Sequence, residues 1–196
     1  MPGIAGLIAG ISLAMSRVGG LFLLVAAMLI SIEILIRKFL FLPFNIGTEL
    51  STYALAVGAS WSFAYALLQR AHVRIDVLRG RLPASARTFL DLLALVSLVV
   101  FGLILSWHVW GTVATSWKLG ARENTPLATP LVIPQFMWLL GIAWFTLVAG
   151  IETARAIGAL VRGDRAMVHR IAAPLGVEDE LGTVLAPAAA RPGSAG

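Results

Sequence analysis

Four apolar runs, each long enough for a bilayer crossing, constrain this chain more than any other feature. They extend from Val18 to Ile36, from Glu49 to Leu68, from Thr88 to about Thr115 and from Gln135 to about Leu160, with cations, prolines and glycines gathered between them. In hydrocarbon every backbone polar group must be satisfied inside its own segment, so a helix of about 20 mostly apolar residues is the natural crossing unit. Hydrophobic residues make up 59% of the 196 and charged ones only 13%, against about 25% charged in a soluble domain. A water-soluble fold of this length could not hide that much apolar surface. The expected fold is an all-α integral membrane protein with four transmembrane helices. Six crossings would leave too little chain for the polar stretches between the runs.

The segments around the runs set the organisation. Residues 1–17 are apolar, with Ile4, Leu7, Ile8, Ile11 and Met15 at helical spacing, and no Lys or Arg precedes them. A secretory signal needs such a cation, so this part reads as an interfacial helix or an extension of the first span. Residues 18–160 form the four-span membrane domain, and 161–196 a largely disordered cytoplasmic tail that ends rich in Ala, Pro and Gly. Within the domain, residues 39–48 carry Pro43 and Gly47 and read as a loop. Prolines 126, 130 and 134 exclude one continuous helix from Trp117 to Pro134.

Lys and Arg set the orientation. Arg17, the five arginines from Arg70 to Arg87, and Arg155, Arg162, Arg165, Arg170 and Arg191 fall on one side, eleven in all; Arg37, Lys38, Lys118 and Arg122 fall on the other. The positive-inside rule then places both termini and the middle loop in the cytoplasm.

The same sequence offers little for catalysis. It contains no Cys, so thiolate chemistry and disulfides are excluded. No phosphate-binding loop, His-Glu-x-x-His pair or Gly-x-Ser-x-Gly elbow occurs. His72, His108 and His169 sit on separate segments, and neither a metal nor a cofactor is expected. Nucleic acid is not expected either, since the net charge of +5 comes without an aromatic stacking platform. Carboxylates inside spans would flag function, but Glu33, Glu49, Asp91 and Glu152 all lie near span ends. Glu33 and Glu152 have Arg37 and Arg155 at pairing distance along a helix, while Glu49 and Asp91 suit the positive end of a helix dipole.

Packing signals concentrate on the second span. Ala54, Gly58, Ser62 and Ala66 recur every four residues and form a ridge of small side chains, which admits close helix approach. Glu49 and Tyr53 mark another face, and Trp61 falls mid-span where a helix contact is expected. The ridge suits a neighbouring span of this chain and a partner's helix equally. Trp107, Trp110, Trp117 and Trp138 read as an aromatic belt. After the second span, Arg70, Arg74, Arg79 and Arg81 are candidates for contact with anionic lipid headgroups.

Taken in order, these features resemble the small, DctQ-like membrane subunit of tripartite ATP-independent periplasmic (TRAP) transporters. The resemblance covers residues 18–160. It rests on Ile36-Arg37-Lys38-Phe39 closing the first span, Glu49-Leu50-Ser51-Thr52-Tyr53 opening the second, Trp61, and Gln69-Arg70-Ala71-His72-Val73-Arg74-Ile75-Asp76. Leu82-Pro83, Arg87 and the proline-bearing loop ending at Pro134 complete it. It implies a non-catalytic subunit in the bacterial inner membrane that scaffolds a large membrane subunit. The large subunit would take up an organic acid with sodium ions after delivery by a periplasmic binding protein. Asn45-Ile46-Gly47 stands where the family often has a Trp, and Gln135 intervenes between Pro134 and Phe136. The alternative is a self-sufficient four-helix membrane protein, either a small channel-like oligomer or a membrane enzyme. A channel calls for a polar stripe through one span, and only Glu49 and Ser60 offer one here.

Overall fold

A computed structural model describes residues 2–40, 46–70, 83–125, 127–164, 167, 168 and 171. The described residues form four helices: α1 (Pro2–Leu40), α2 (Ile46–Leu68), α3 (Ala84–Leu119) and α4 (Val132–Val161). Apart from one isolated bridge between Arg122 and Pro130, no strand pairing occurs among them. Three helices contain stretches long and apolar enough to cross a membrane: Gly3–Phe39, Ser85–Leu119 and Val132–Val161. The 23 residues of α2 are long enough, but Ser51, Thr52, Ser60 and Ser62 dilute their apolarity.

Residues 2–17 and the first span form one helix of 39 residues, close to 58 Å long at about 1.5 Å per residue. Arg17 does not interrupt it, because a single exposed cation leaves the backbone ladder intact. α3 starts at Ala84, directly after Pro83, so Asp91 lies two turns inside the helix rather than in its first turn. The dipole argument for Asp91 therefore lapses, since that field fades within a turn; Asp91 is buried instead. α4 starts ahead of Pro134, which occupies the first turn, where its missing N–H removes no helical bond.

α3 ends at Gly120, whose φ of 58° lets its N–H reach back to the Ser116 and Trp117 carbonyls, a left-handed cap that suits glycine. The loop to α4 folds on itself. Glu123 N–H donates to the Thr129 carbonyl and Leu131 N–H to that of Ala121, while the Arg122 guanidinium donates to the Ala128 carbonyl.

The main helix contacts run α1 to α2, α2 to α4 and α4 to α3. At the end nearer the tail all four helices meet in a core of Ile8, Ala64, Leu67, Leu95, Phe145, Val148, Ala149 and Ala156. Beyond α4, Asp164 accepts from the Met167 N–H; Val168 is fully buried, and Ile171 packs on that core. At the loop end the contacts thin out. An apolar cavity of about 250 Å³ separates Phe22 and Leu29 of α1 from Ala54 of α2 and Met137 of α4. Another, of about 630 Å³, opens between Trp110 and Trp117 of α3 and Phe136 of α4.

Candidate functional site

The residues singled out on α2 lie on a helix held between two others. Toward α1 the chains touch at backbone distance. A β-carbon placed on Gly58 would lie 2.9 Å from the Gly19 carbonyl oxygen and 2.7 Å from Leu23 Cγ. The middle of the small-residue ridge is thus filled by α1 of the same chain. Ala54 lines the smaller cavity, the Ser62 hydroxyl donates to the Gly58 carbonyl within its own helix, and Ala66 is half-buried.

Toward α4 the contact is as tight. A β-carbon on Gly141 would lie 2.5 Å from Ser60 Oγ and 2.6 Å from Trp61 Cδ1. The Trp61 indole N–H donates to the Met137 carbonyl at 2.9 Å, and its ring tilts against Phe22 of α1 with 6.3 Å between centroids. Phe63 meets Phe145 edge-on, an arrangement favoured by the ring quadrupole. One tryptophan therefore binds three helices together.

The loop-side end of α2 is tied by polar groups. The Tyr53 hydroxyl lies 3.0 Å from Glu49 Oε1 and 3.4 Å from Glu123 Oε2. Glu49 also accepts from the Thr125 hydroxyl, so the folded loop is fastened down on α2. Glu33 of α1 accepts from the Gly47 N–H at the start of α2 and pairs with Arg37 at 2.6 Å. This carboxylate satisfies one of the orphan donors of the next helix. At the other end of the molecule Glu152 pairs with Arg155 at 2.7 Å. Among the described residues no three His, Asp or Glu side chains gather as a metal site would require.

Of the candidate headgroup residues, Arg70 closes α2 in a left-handed conformation with φ 54°. Arg74, Arg79 and Arg81 lie outside the described residues, as does the whole His-Val-Arg-Ile-Asp string. In the aromatic set, Trp107 and Trp117 are 76% and 74% exposed. Trp138 differs, because it packs on Val109, Val113 and Leu139.

Several structural residues escape a reading of the sequence. Gly141 and Gly102 make the closest helix approaches, the first against Ser60 and Trp61 and the second against Thr146, and Gly19 meets the Gly58 backbone. Ser12, fully buried on α1, accepts the Trp144 indole N–H at 3.0 Å. The available signal was glycine inside an apolar helix, which costs stability against alanine unless something must come close.

The exposed surface is apolar along both outer helices, at Leu21, Leu24 and Met28 of α1 and at Phe101, Leu103 and Ile104 of α3. The described residues therefore offer surfaces to lipid or protein, with their ionisable pairs kept near helix ends. A family model described as tripartite ATP-independent periplasmic transporters, DctQ component, matches residues 26–159. No curated protein and no solved structure matches the chain.

Proposed function

The chain belongs to the DctQ component family of the tripartite ATP-independent periplasmic transporters, and on that premise we propose that it scaffolds the large membrane subunit during sodium-coupled uptake. It is a multi-pass membrane protein and the small permease component of such a transporter. In the fuller reading, α1 to α4 all cross the bacterial inner membrane, with both termini and the α2–α3 segment in the cytoplasm. A periplasmic binding protein hands an organic acid to the large subunit, which moves it. This chain performs no chemistry and holds no ion.

The observation that carries the reading is where the carboxylates are engaged. Glu33 holds Arg37 and the first turn of α2, Glu49 holds the folded loop, and Glu152 holds Arg155. Each is engaged by a neighbouring side chain or segment of this chain, whereas transport sites gather at interrupted helices near the bilayer midplane. Long apolar flanks on α1 and α3 supply the surface such a scaffold needs. The residues Glu49, Tyr53, Ala54, Gly58, Trp61, Ser62 and Ala66 then act by shaping α2, which sets how α1 and α4 present those flanks.

The test is co-expression with the adjacent large-subunit gene, followed by purification through a tag on this chain and reconstitution into vesicles. Recovery of the large subunit in stoichiometric amount, with uptake that requires both chains and a sodium gradient, is the expected result. Uptake by the large subunit alone at the same rate would overturn the scaffold role.

A further inference from the structure

At the tail end of α2 lies a cavity of about 200 Å³ unlike the apolar ones at the loop end. Arg70, Glu152 and Arg155 line it together with Leu67, Leu95 and Ile171. Two guanidinium groups face one carboxylate, so the cavity is cationic. The Glu152 pair engages a single Nη1 of Arg155, and a guanidinium carries five donors in a rigid fork, so most of Arg155 remains available. Among the described residues Arg70 has no ion-pair partner.

The backbone gives a second pointer. Arg70 follows the last turn of α2, its N–H donating to the Leu67 carbonyl, in the left-handed conformation usual for glycine at a helix end. A branched-off side chain there carries a steric cost that glycine escapes. The position nevertheless holds a guanidinium, half-buried at the wall of the cavity.

We infer that this cavity binds an anionic phosphate group, with Arg70 and Arg155 as its donors and the leucines and Ile171 against the carbon skeleton that bears it. Planar guanidinium forks match phosphate oxygens two at a time. Glu152 orients Arg155 and admits only one unit of negative charge before the cavity is neutral, which suits a phosphodiester monoanion. With room for several water volumes of about 30 Å³ each, the site takes a phosphate with part of its glycerol. On the four-span reading proposed above, on which this point rests, the tail end of α2 lies at the depth of lipid headgroups. A soluble phosphate offers the same chemistry.

The experiment measures the unfolding midpoint of the full chain in an uncharged detergent with three additives: phosphatidylglycerol, diacylglycerol of the same acyl chains, and inorganic phosphate. Arg70→Gly removes the guanidinium and relaxes the backbone, so it folds. Lys118→Gln, at the opposite end of α3, controls for bulk charge. Phosphatidylglycerol should raise the wild-type midpoint by about 5 °C when near saturation, diacylglycerol should not, and Arg70→Gly should abolish the shift while Lys118→Gln keeps it. An equal, Arg70-dependent shift with inorganic phosphate upholds the site and identifies a soluble anion as its ligand. The inference fails if Arg70→Gly responds like the wild type, if Lys118→Gln also loses the shift, if diacylglycerol matches phosphatidylglycerol, or if no additive moves the wild type. None of these readouts involves transport, so they stand apart from the test of the scaffold role.

Discussion

Gly141 of α4 lies so near Ser60 of α2 that a single methyl group at 141 would come within 2.5 Å of the serine hydroxyl oxygen. Trp61 crowds the same spot from 2.6 Å, and the indole anchors itself on the carbonyl of Met137, one turn earlier on α4. The crossing of α2 and α4 is therefore set by a side chain that is missing and by one that is very large.

Gly141→Ala should destabilise the chain by about 1–3 kcal/mol, because both walls of the site must move. Gly150→Ala, on the same helix with nothing within 4 Å of the new carbon, should be neutral or stabilise by about 0.5–1 kcal/mol. Thermal unfolding of the two variants in detergent checks the contrast. Equal midpoints would mean that α2 and α4 do not approach closely in the folded chain.

Gly58→Leu tests whose helix the small-residue ridge serves. Since Gly19 and Leu23 already occupy that space, the substitution should lower the unfolding midpoint of the isolated chain as well as recovery of the complex. Gly20→Leu, which meets nothing within 4 Å, should leave the isolated chain unchanged. A Gly58→Leu chain that unfolds normally by itself but no longer holds its partner would assign the ridge to the partner instead.

Tyr53→Phe removes the hydroxyl between Glu49 and Glu123. One hydrogen bond contributes about 0.5–1.5 kcal/mol net, so local opening of the loop should become roughly 2- to 10-fold more frequent by the same arithmetic. Hydrogen exchange at the Glu123 and Leu131 amides, whose bonds close the loop, reads this directly. Exchange at α4 amides near Phe145 should not change.

Neutralising Glu33, Glu49 or Glu152 to Gln, or Asp91 to Asn, should lower assembly or expression without altering the sodium dependence of uptake. Glu33→Gln is expected to cost about 1–2 kcal/mol, chiefly through the weaker acceptor it offers Gly47, because Arg37 is largely solvated. Uptake against sodium concentration, normalised to assembled complex, makes the comparison. A shifted sodium response with assembly intact would place a carboxylate of this chain at the ion site.

How much of this was legible in the sequence depends on which signal was asked for. Length and composition carry the helices, and Glu33–Arg37 and Glu152–Arg155 follow from spacing alone. Residues 2–17 continue the first helix without a break, one of the two forms their spacing allowed, since a charge marks a change of surroundings and not a helix end. Helix rotation was harder to read. In a soluble helix the polar face shows which side turns outward, but here lipid-facing and buried sides are both apolar and the periodic contrast fades. Gly19 and Gly141 consequently looked like any other small residues, and Trp138 like its three exposed neighbours in composition. The contact between Ser12 and Trp144 joins residues 132 apart, and no local pattern announces such a pair.

That last pair also orders events during synthesis. α1 and α2 can close on each other at Gly19 and Gly58 as soon as both have left the ribosome. The first turns of α1 must wait, because half of the core around Ile8 and the donor for Ser12 come from α4, from Trp144 to Ala156. At about 5–20 residues per second, that delay is on the order of ten seconds. Throughout it, the first turns of α1 are made but lack the Trp144 donor that Ser12 meets in the folded chain.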